Sequence, residues 1–200
     1  MDEQVLRGMA RWPDVPAVFG WLALDRRGTW LLQGEPITNP VVTAYIGRNY
    51  ERDANGRWFF QNGPQRVYLD LDYTPHVYRA LNASGQPLAL ESHTGAQVTA
   101  LQGGWIDETG ALLVETEHGV GVIHDRDLEV TLPSLVDSDG RPLEEDALEN
   151  AMNSLQQGKS APVWMRLAAS NVKVEPIRSD SVPARFGYLR HPGSETSITA

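Results

Sequence analysis

Apolar and polar positions change over in short runs separated by glycine-bearing turns. Val18–Leu24 is an apolar run, Asp25-Arg26-Arg27-Gly28 breaks it, and residues 29–33 run back. That pattern predicts a β-hairpin, with Gly28 supplying the positive φ of its turn. Gly34-Glu35-Pro36 ends it. A second turn, Asp53-Ala54-Asn55-Gly56, leads into a strand at Trp58-Phe59-Phe60. After Asn62-Gly63-Pro64, the apolar Val67, Leu69 and Leu71 alternate with Tyr68, Asp70 and Asp72. Period two with one oily face predicts a strand packed on one side, stopped at Thr74-Pro75. Residues 76–81 fit either a strand or a helical turn.

Two stretches carry helical spacing. Asn39-Pro40 is a helix start, because asparagine caps free N–H groups and proline is pre-set for the first helical position. Val41, Val42, Tyr45 and Ile46 then form a stripe, and Gly47 gives a stop. The clearest helix covers 143–157. Leu143, Ala147, Leu148, Ala151, Met152 and Leu155 form its apolar face, Glu144, Glu145 and Asp146 sit in its first turn, and Gly158 closes it.

The remaining segments read as strands. They are 87–90, 98–101, a hairpin of 120–123 with 128–132 around His124-Asp125-Arg126-Asp127, and late strands at 162–168 and 172–174. Trp105-Ile106-Asp107-Glu108-Thr109-Gly110 followed by Ala111-Leu112-Leu113-Val114 resembles the stretch from Trp21 to Leu32 in kind: aromatic start, acidic turn ending in glycine, apolar return. This suggests a repeated motif. Pro13 and Pro16 exclude a regular helix from Trp12 to Ala17, so residues 1–17 are expected to form an arm that packs Trp12. The polar tail after Pro192 is expected to be disordered. The expected fold is α+β and mainly antiparallel, with repeated hairpin motifs and one short and one longer helix. Two small β-rich domains, 1–85 and 86–200, are expected to meet in the stretch 82–87.

Composition narrows the functions. Net charge is −9 and unevenly spread. Residues 1–82 hold 9 arginines against 9 acids, 83–160 hold 3 bases against 14 acids, and 161–200 hold 5 bases against 3 acids. The acidic middle repels phosphate, so a nucleic-acid partner is not expected. The chain has no cysteine, which removes disulfides, thiolate metal sites and cysteine nucleophiles together. No apolar run reaches the length of a transmembrane helix, and Met1-Asp2-Glu3-Gln4 does not open a secretory signal. A cytoplasmic protein is expected, with no membrane partner.

Candidate chemistry is sparse. No phosphate-binding glycine loop, dinucleotide fingerprint or nucleophile elbow is present. No catalytic residue, metal or cofactor is assigned. His118, His124, Asp125 and Asp127, with Glu115 and Glu117 nearby, are of the right types for a His/carboxylate site. Along a strand, however, the two glutamates and His118 point to opposite faces, and His124 to Asp127 suit a turn. Asp137-Ser138-Asp139-Gly140 echoes a calcium loop but lacks its first and last ligands. Arg57, Trp58, Arg66 and Tyr68, with Phe59, Phe60 and Tyr73, define a candidate aromatic–arginine binding face, and His124 is a further candidate.

At Trp30-x-x-x-Gly34-x-Pro36-Ile37, then Gly56-Arg57-Trp58-Phe59, then Pro64-x-x-Val67-x-Leu69-x-Leu71-x-x-x-Pro75, the chain resembles a group of proteobacterial proteins known only as domains of unknown function. Arg11-Trp12-Pro13-Asp14-Val15-Pro16 and the run from Phe60 to Val67 belong to the same likeness. The resemblance is good over 20–75 and loose over 112–132. A related branch shares the order of strand, G-x-P-I turn, short helix and hairpin. It implies two β-rich halves built from repeated motifs, a signalling-type role, and no catalytic residues. The expected function is a non-enzymatic binding or regulatory module with a protein or small-molecule partner. An enzyme built around His118 to Asp127 and a structural oligomer component are the alternatives.

Overall fold

A recurrent turn organises both halves of the chain. In the computed structural model, which describes residues 1–12, 15–82 and 86–193, four Asp-x-x-Gly turns start at Asp25, Asp53, Asp107 and Asp137. In each, the Asp Oδ1 accepts from the backbone N–H groups two and four residues on, at 2.8–3.0 Å. The glycine N–H donates back to the Asp carbonyl, and φ at Gly28, Gly56, Gly110 and Gly140 is 79–83°, where a Cβ is unfavourable. Ser92 repeats the scheme with its hydroxyl, which accepts from the Thr94 and Ala96 N–H groups on either side of Gly95. This side-chain capture of turn amides is the physical content of the repeated motif.

The fold is α+β with mostly antiparallel strands, and it divides into two compact units. The first comprises Met1–Pro75 and the segment returning from Phe186. Its elements are α1 (Glu3–Arg11), β1 (Val18–Leu24), β2 (Trp30–Leu32), β3 (Glu35–Pro36), α2 (Pro40–Arg48), β4 (Tyr50–Arg52), β5 (Trp58–Asn62) and β6 (Gln65–Leu71). The strands form one sheet in the order β3-β2-β1-β6-β5-β4, with β1 and β6 parallel and the other pairs antiparallel. Leu22, Leu24, Trp30, Tyr50, Trp58, Leu69 and Leu71 are buried. Trp30 and Tyr50 meet edge to face with ring centres 5.1 Å apart, and Tyr50 packs at 4.7 Å on Trp58. Asn39 caps α2 by accepting from Val41 N–H, with Pro40 following it.

The second unit is His76–Arg185. It contains β7 (His76–Ala80), β8 (Leu90–Ser92), β9 (Leu101–Ile106), β10 (Leu112–Thr116), β11 (Gly119–Ile123), α3 (Leu128–Thr131), β12 (Leu135–Val136), α4 (Glu145–Gln156), β13 (Trp164–Leu167), β14 (Ser170–Pro176) and most of α5 (Val182–Phe186). Its sheet runs β12-β13-β14-β9-β10-β11-β7-β8. The pairs β7·β11 and β9·β14 are parallel. Ala151 and Leu155 of α4 are buried in its core with Ile106, Leu112, Val163 and Met165.

Three local expectations are corrected. Residues 3–11 are helical rather than an irregular arm: Val5 is buried while Glu3, Gln4 and Arg7 face water, the one-sided burial an amphipathic helix provides. Trp12 is not packed away but 54% exposed. The segment 128–132 is α3 leading into a 3-10 turn, not a strand. His124 starts the preceding 3-10 turn by accepting from Arg126 N–H, Thr131 Oγ1 donates to the Leu128 carbonyl, and Pro133 cannot donate to a strand ladder. Part of the expected boundary stretch 82–87, and the tail from 194, lie outside the described residues.

Candidate functional site

Strand alternation sorts the first unit's sheet into two faces. Phe60, Asn62, Gln65 and Val67 share the face that carries α2. Phe59, Gln61, Arg66 and Tyr68 share the other.

On the α2 face lies a cavity of about 560 Å³. Leu22, Phe60 and Val67 form its floor, Trp21 and Leu32 of the hairpin one wall, and Val42, Tyr45 and Ile46 of α2 the other. Tyr45 meets Phe60 edge-on at 5.4 Å. Asn62 and Gln65 are the polar members of the lining, and no charged side chain belongs to it. Trp21, Leu32 and Val42 remain 54%, 48% and 40% exposed and lie together at the groove, a contiguous exposed apolar surface rather than scattered single residues. The α2 stripe therefore splits: Ile46 is core, Val42 and Tyr45 face the groove, and Val41 faces solvent. Sequence reasoning did not single out this site. Its one signal is the apolar Trp21 and Leu32 flanking a polar turn.

The opposite face carries three of the expected binding residues. The Arg57 guanidinium lies 4.6 Å from the Tyr68 ring centre and donates through Nε and Nη2 to Asp53 Oδ2 at 2.8 and 2.7 Å. Tyr68 O–H donates to the same oxygen at 3.0 Å, and Phe19 stacks on the Tyr68 ring at 4.7 Å. Burial alone would raise the Asp53 pKa. Hydrogen bonds from the Arg57 side chain and backbone, from Tyr68 and from Asn55 outweigh it and hold the carboxyl below its ordinary range. Arg66 lies 4.6 Å over Phe59 and donates through Nε to Gln61 Oε1 at 3.3 Å. A second cavity, of about 450 Å³, opens there among Met9, Trp12, Gln61, Pro64, Arg66 and Tyr68.

Trp58 and His124 do not join this face. Trp58 alternates to the other side and is buried in the aromatic core. His124 lies in the second unit, buried, with Nδ1 accepting from Arg126 N–H at 3.1 Å. Its pKa is lowered by burial and by the Arg79 charge, against the opposing Asp125 and Asp127. His118 and His124 flank opposite ends of β11, a separation of about 20 Å at the rise of a strand. Asp127 serves the fold, accepting from Arg79 Nε and Ala80 N–H, and Glu117 holds Thr99. Among the described residues no group of three or more His, Asp or Glu side chains is placed to hold a metal ion.

The architecture thus defines a two-unit α+β protein with an apolar groove and an arginine–aromatic face on its first sheet. The chain belongs to a family whose model, DUF2944, matches residues 1–193 and is described as "Protein of unknown function (DUF2946)". A search of curated proteins found no match. Among solved structures the chain is similar to a DUF1285 family protein from Silicibacter pomeroyi DSS-3. That likeness has 18% identity and a TM-score of 0.54, and covers 82% of this chain and 85% of that one. It shows a shared fold. A DUF1285 family protein from Shewanella baltica OS155 aligns at 13% identity and a TM-score of 0.37, over 55% of this chain and 87% of that one. No helix among the described residues is long and apolar enough to cross a membrane.

Proposed function

We propose that the protein is a non-enzymatic binding module whose α2 groove takes an uncharged, largely apolar small molecule. The observation that carries this reading is the composition of the groove: aromatic and aliphatic walls, two amides, and no charge. Its volume of about 560 Å³ lies in the range of small-molecule sites, roughly 300–1,000 Å³. A charged ligand would lose its hydration there without a partner. The Asn62 amide and the Oε1 of Gln65, whose Nε2 donates to the Pro16 carbonyl at 3.3 Å, suit one hydroxyl or amide group on the ligand, and the exposed sides of Trp21, Leu32 and Val42 suit its hydrocarbon. The scattered His118, His124 and Asp127 further support binding over catalysis, because a general acid and base must reach the same reacting atoms. A regulatory role of the signalling type follows if ligand capture is the protein's readout.

Titration with dodecanol and with dodecanoate, followed by tryptophan fluorescence, tests the reading. Saturable binding of the neutral alcohol, weaker binding of the anion, and loss of both in Val42→Trp, which fills the groove, are expected. The absence of saturation with either probe, or equal binding by Val42→Trp, would overturn it.

A further inference from the structure

We propose that the cavity on the opposite face of the same sheet is a second, independent site, for a small molecule that joins a planar ring to a carboxylate or phosphate. The two arginines beside Tyr68 are treated differently. Arg57 spends its guanidinium on Asp53. Arg66 is oriented by an amide instead: Nε donates to Gln61 Oε1, and Gln61 is itself fully buried, its Nε2 tied to the Gly63 carbonyl at 2.9 Å. A neutral acceptor fixes the fork without cancelling its charge. Among the described residues Arg66 has no carboxylate partner, and Nε is the one nitrogen of its guanidinium in a hydrogen bond. Phe59 beneath it holds the plane in place. A surface arginine kept for solubility needs neither a buried amide nor a ring beneath it.

The remaining lining supplies the ring half of the ligand. Trp12 stands at the cavity and is 54% exposed. Arg11 lies 4.7 Å over that indole, a second cation without a carboxylate partner among the described residues. Met9 and Pro64 add apolar wall. A pre-set guanidinium fork matches two oxygens of a carboxylate or phosphate, and an open indole offers a stacking face. Proximity of the two selects ligands that carry both groups over ligands that carry one.

Benzoate and adenosine 5′-monophosphate serve as the carboxylate and phosphate probes, with inorganic phosphate and adenosine as the single-group controls. Binding is read by calorimetry and by the NMR shifts of the Arg66 Nε–H and Trp12 indole N–H. At least one ring-plus-oxyanion probe is expected to bind more tightly than either control and to shift both signals. Arg66→Gln is expected to weaken it by about tenfold or more, Arg66→Lys by less, and Trp12→Ala by several-fold. Groove-filling Val42→Trp is expected to leave it unchanged, which separates this site from the α2 groove. Three results would each overturn the proposal: no saturation by about 10 mM ligand, undiminished binding by a folded Arg66→Gln or Arg66→Lys, or inorganic phosphate binding as tightly as the ring-bearing probes.

Discussion

His76 and His93 lie with ring centres 5.7 Å apart inside the second unit; His76 is buried and His93 partly so, with its Nε2 shut off from solvent. His93 Nδ1 accepts from Val77 N–H at 3.3 Å, which requires that nitrogen to be unprotonated. His76 also stacks at 5.9 Å on Tyr78. Burial lowers the His76 pKa to about 4, helped by the nearby His118 charge. Burial and the neighbouring His76 push His93 well down too. Both are therefore neutral when folded and titrate near 6.5 when unfolded. Stability from this pair is full above pH 6.5 and is lost as pH falls toward the folded values, because the unfolded chain takes up the protons. With two protons taken up, the slope below pH 6 is about 2.7 kcal/mol per pH unit. Urea unfolding of the wild type and of His93→Gln between pH 7 and 4.5 checks this, and the variant should lose about half of the slope.

Asp127 and Arg79 form an asymmetric pair. The carboxylate is largely covered and accepts from Arg79 Nε at 2.6 Å and from Ala80 N–H at 3.1 Å, so it ties the turn before α3 to β7. Arg79 is half exposed. Asp127→Ala leaves a backbone donor of β7 unsatisfied and should cost about 1–3 kcal/mol. Arg79→Ala removes a screened cation and should cost less than about 1 kcal/mol. Equal losses in chemical denaturation would show that the ion pair, not the backbone bond, is what matters.

The segment after α5 completes the first unit. Leu189 N–H donates to the Gly56 carbonyl, Leu71 N–H donates to the Arg190 carbonyl, and Tyr188 O–H donates to the Tyr73 carbonyl at 2.8 Å. Gly56 has φ 79°, and a Cβ there would collide with the Gly187 carbonyl. Gly56→Ala should cost about 2–4 kcal/mol from strain and overlap together. A chain ending at Arg185 should lose the near-ultraviolet signal of the Trp30, Tyr50 and Trp58 cluster. Retention of that signal would show that the first unit holds its core without the returning segment.

How much of this was legible depends on range. The Oδ1 bonds of Asp25, Asp53, Asp107 and Asp137 close within four residues, so their turns can be read from the chain. The α2 start reads equally well, because Asn39 and Pro40 carry local chemistry. The α1 helix hid because its apolar face is narrow, with Val5 as its one buried residue and prolines close behind. The return of 186–193 to the first unit hid because backbone carbonyls take several of its bonds, and these have no residue signature. At the candidate sites, period-two alternation already places Arg66 with Tyr68 and sets Trp58 opposite Phe59. The α2 groove is a gap between a helix and a hairpin, and no spacing within either element describes a gap.

Asp53 joins the turn chemistry to the arginine–aromatic face, and its removal separates two explanations of that face. Oδ1 builds the Asp-x-x-Gly turn, while Oδ2 receives Arg57 and Tyr68. Its pKa is depressed, so its contribution is present above the unfolded value and lost as pH falls through the folded one. Asp53→Asn keeps an oxygen for the turn amides but loses the charge that neutralises Arg57. The expected cost is about 1–3 kcal/mol in urea denaturation at pH 7, shrinking as the pH is lowered and the wild-type carboxyl protonates. Asp53→Ala forfeits the turn bonds as well and should cost more. If the two variants are equally destabilised, Arg57 and Tyr68 dominate what Asp53 contributes. If Asp53→Asn is silent, the turn dominates, and the ordered stack of Arg57 on Tyr68 follows from it.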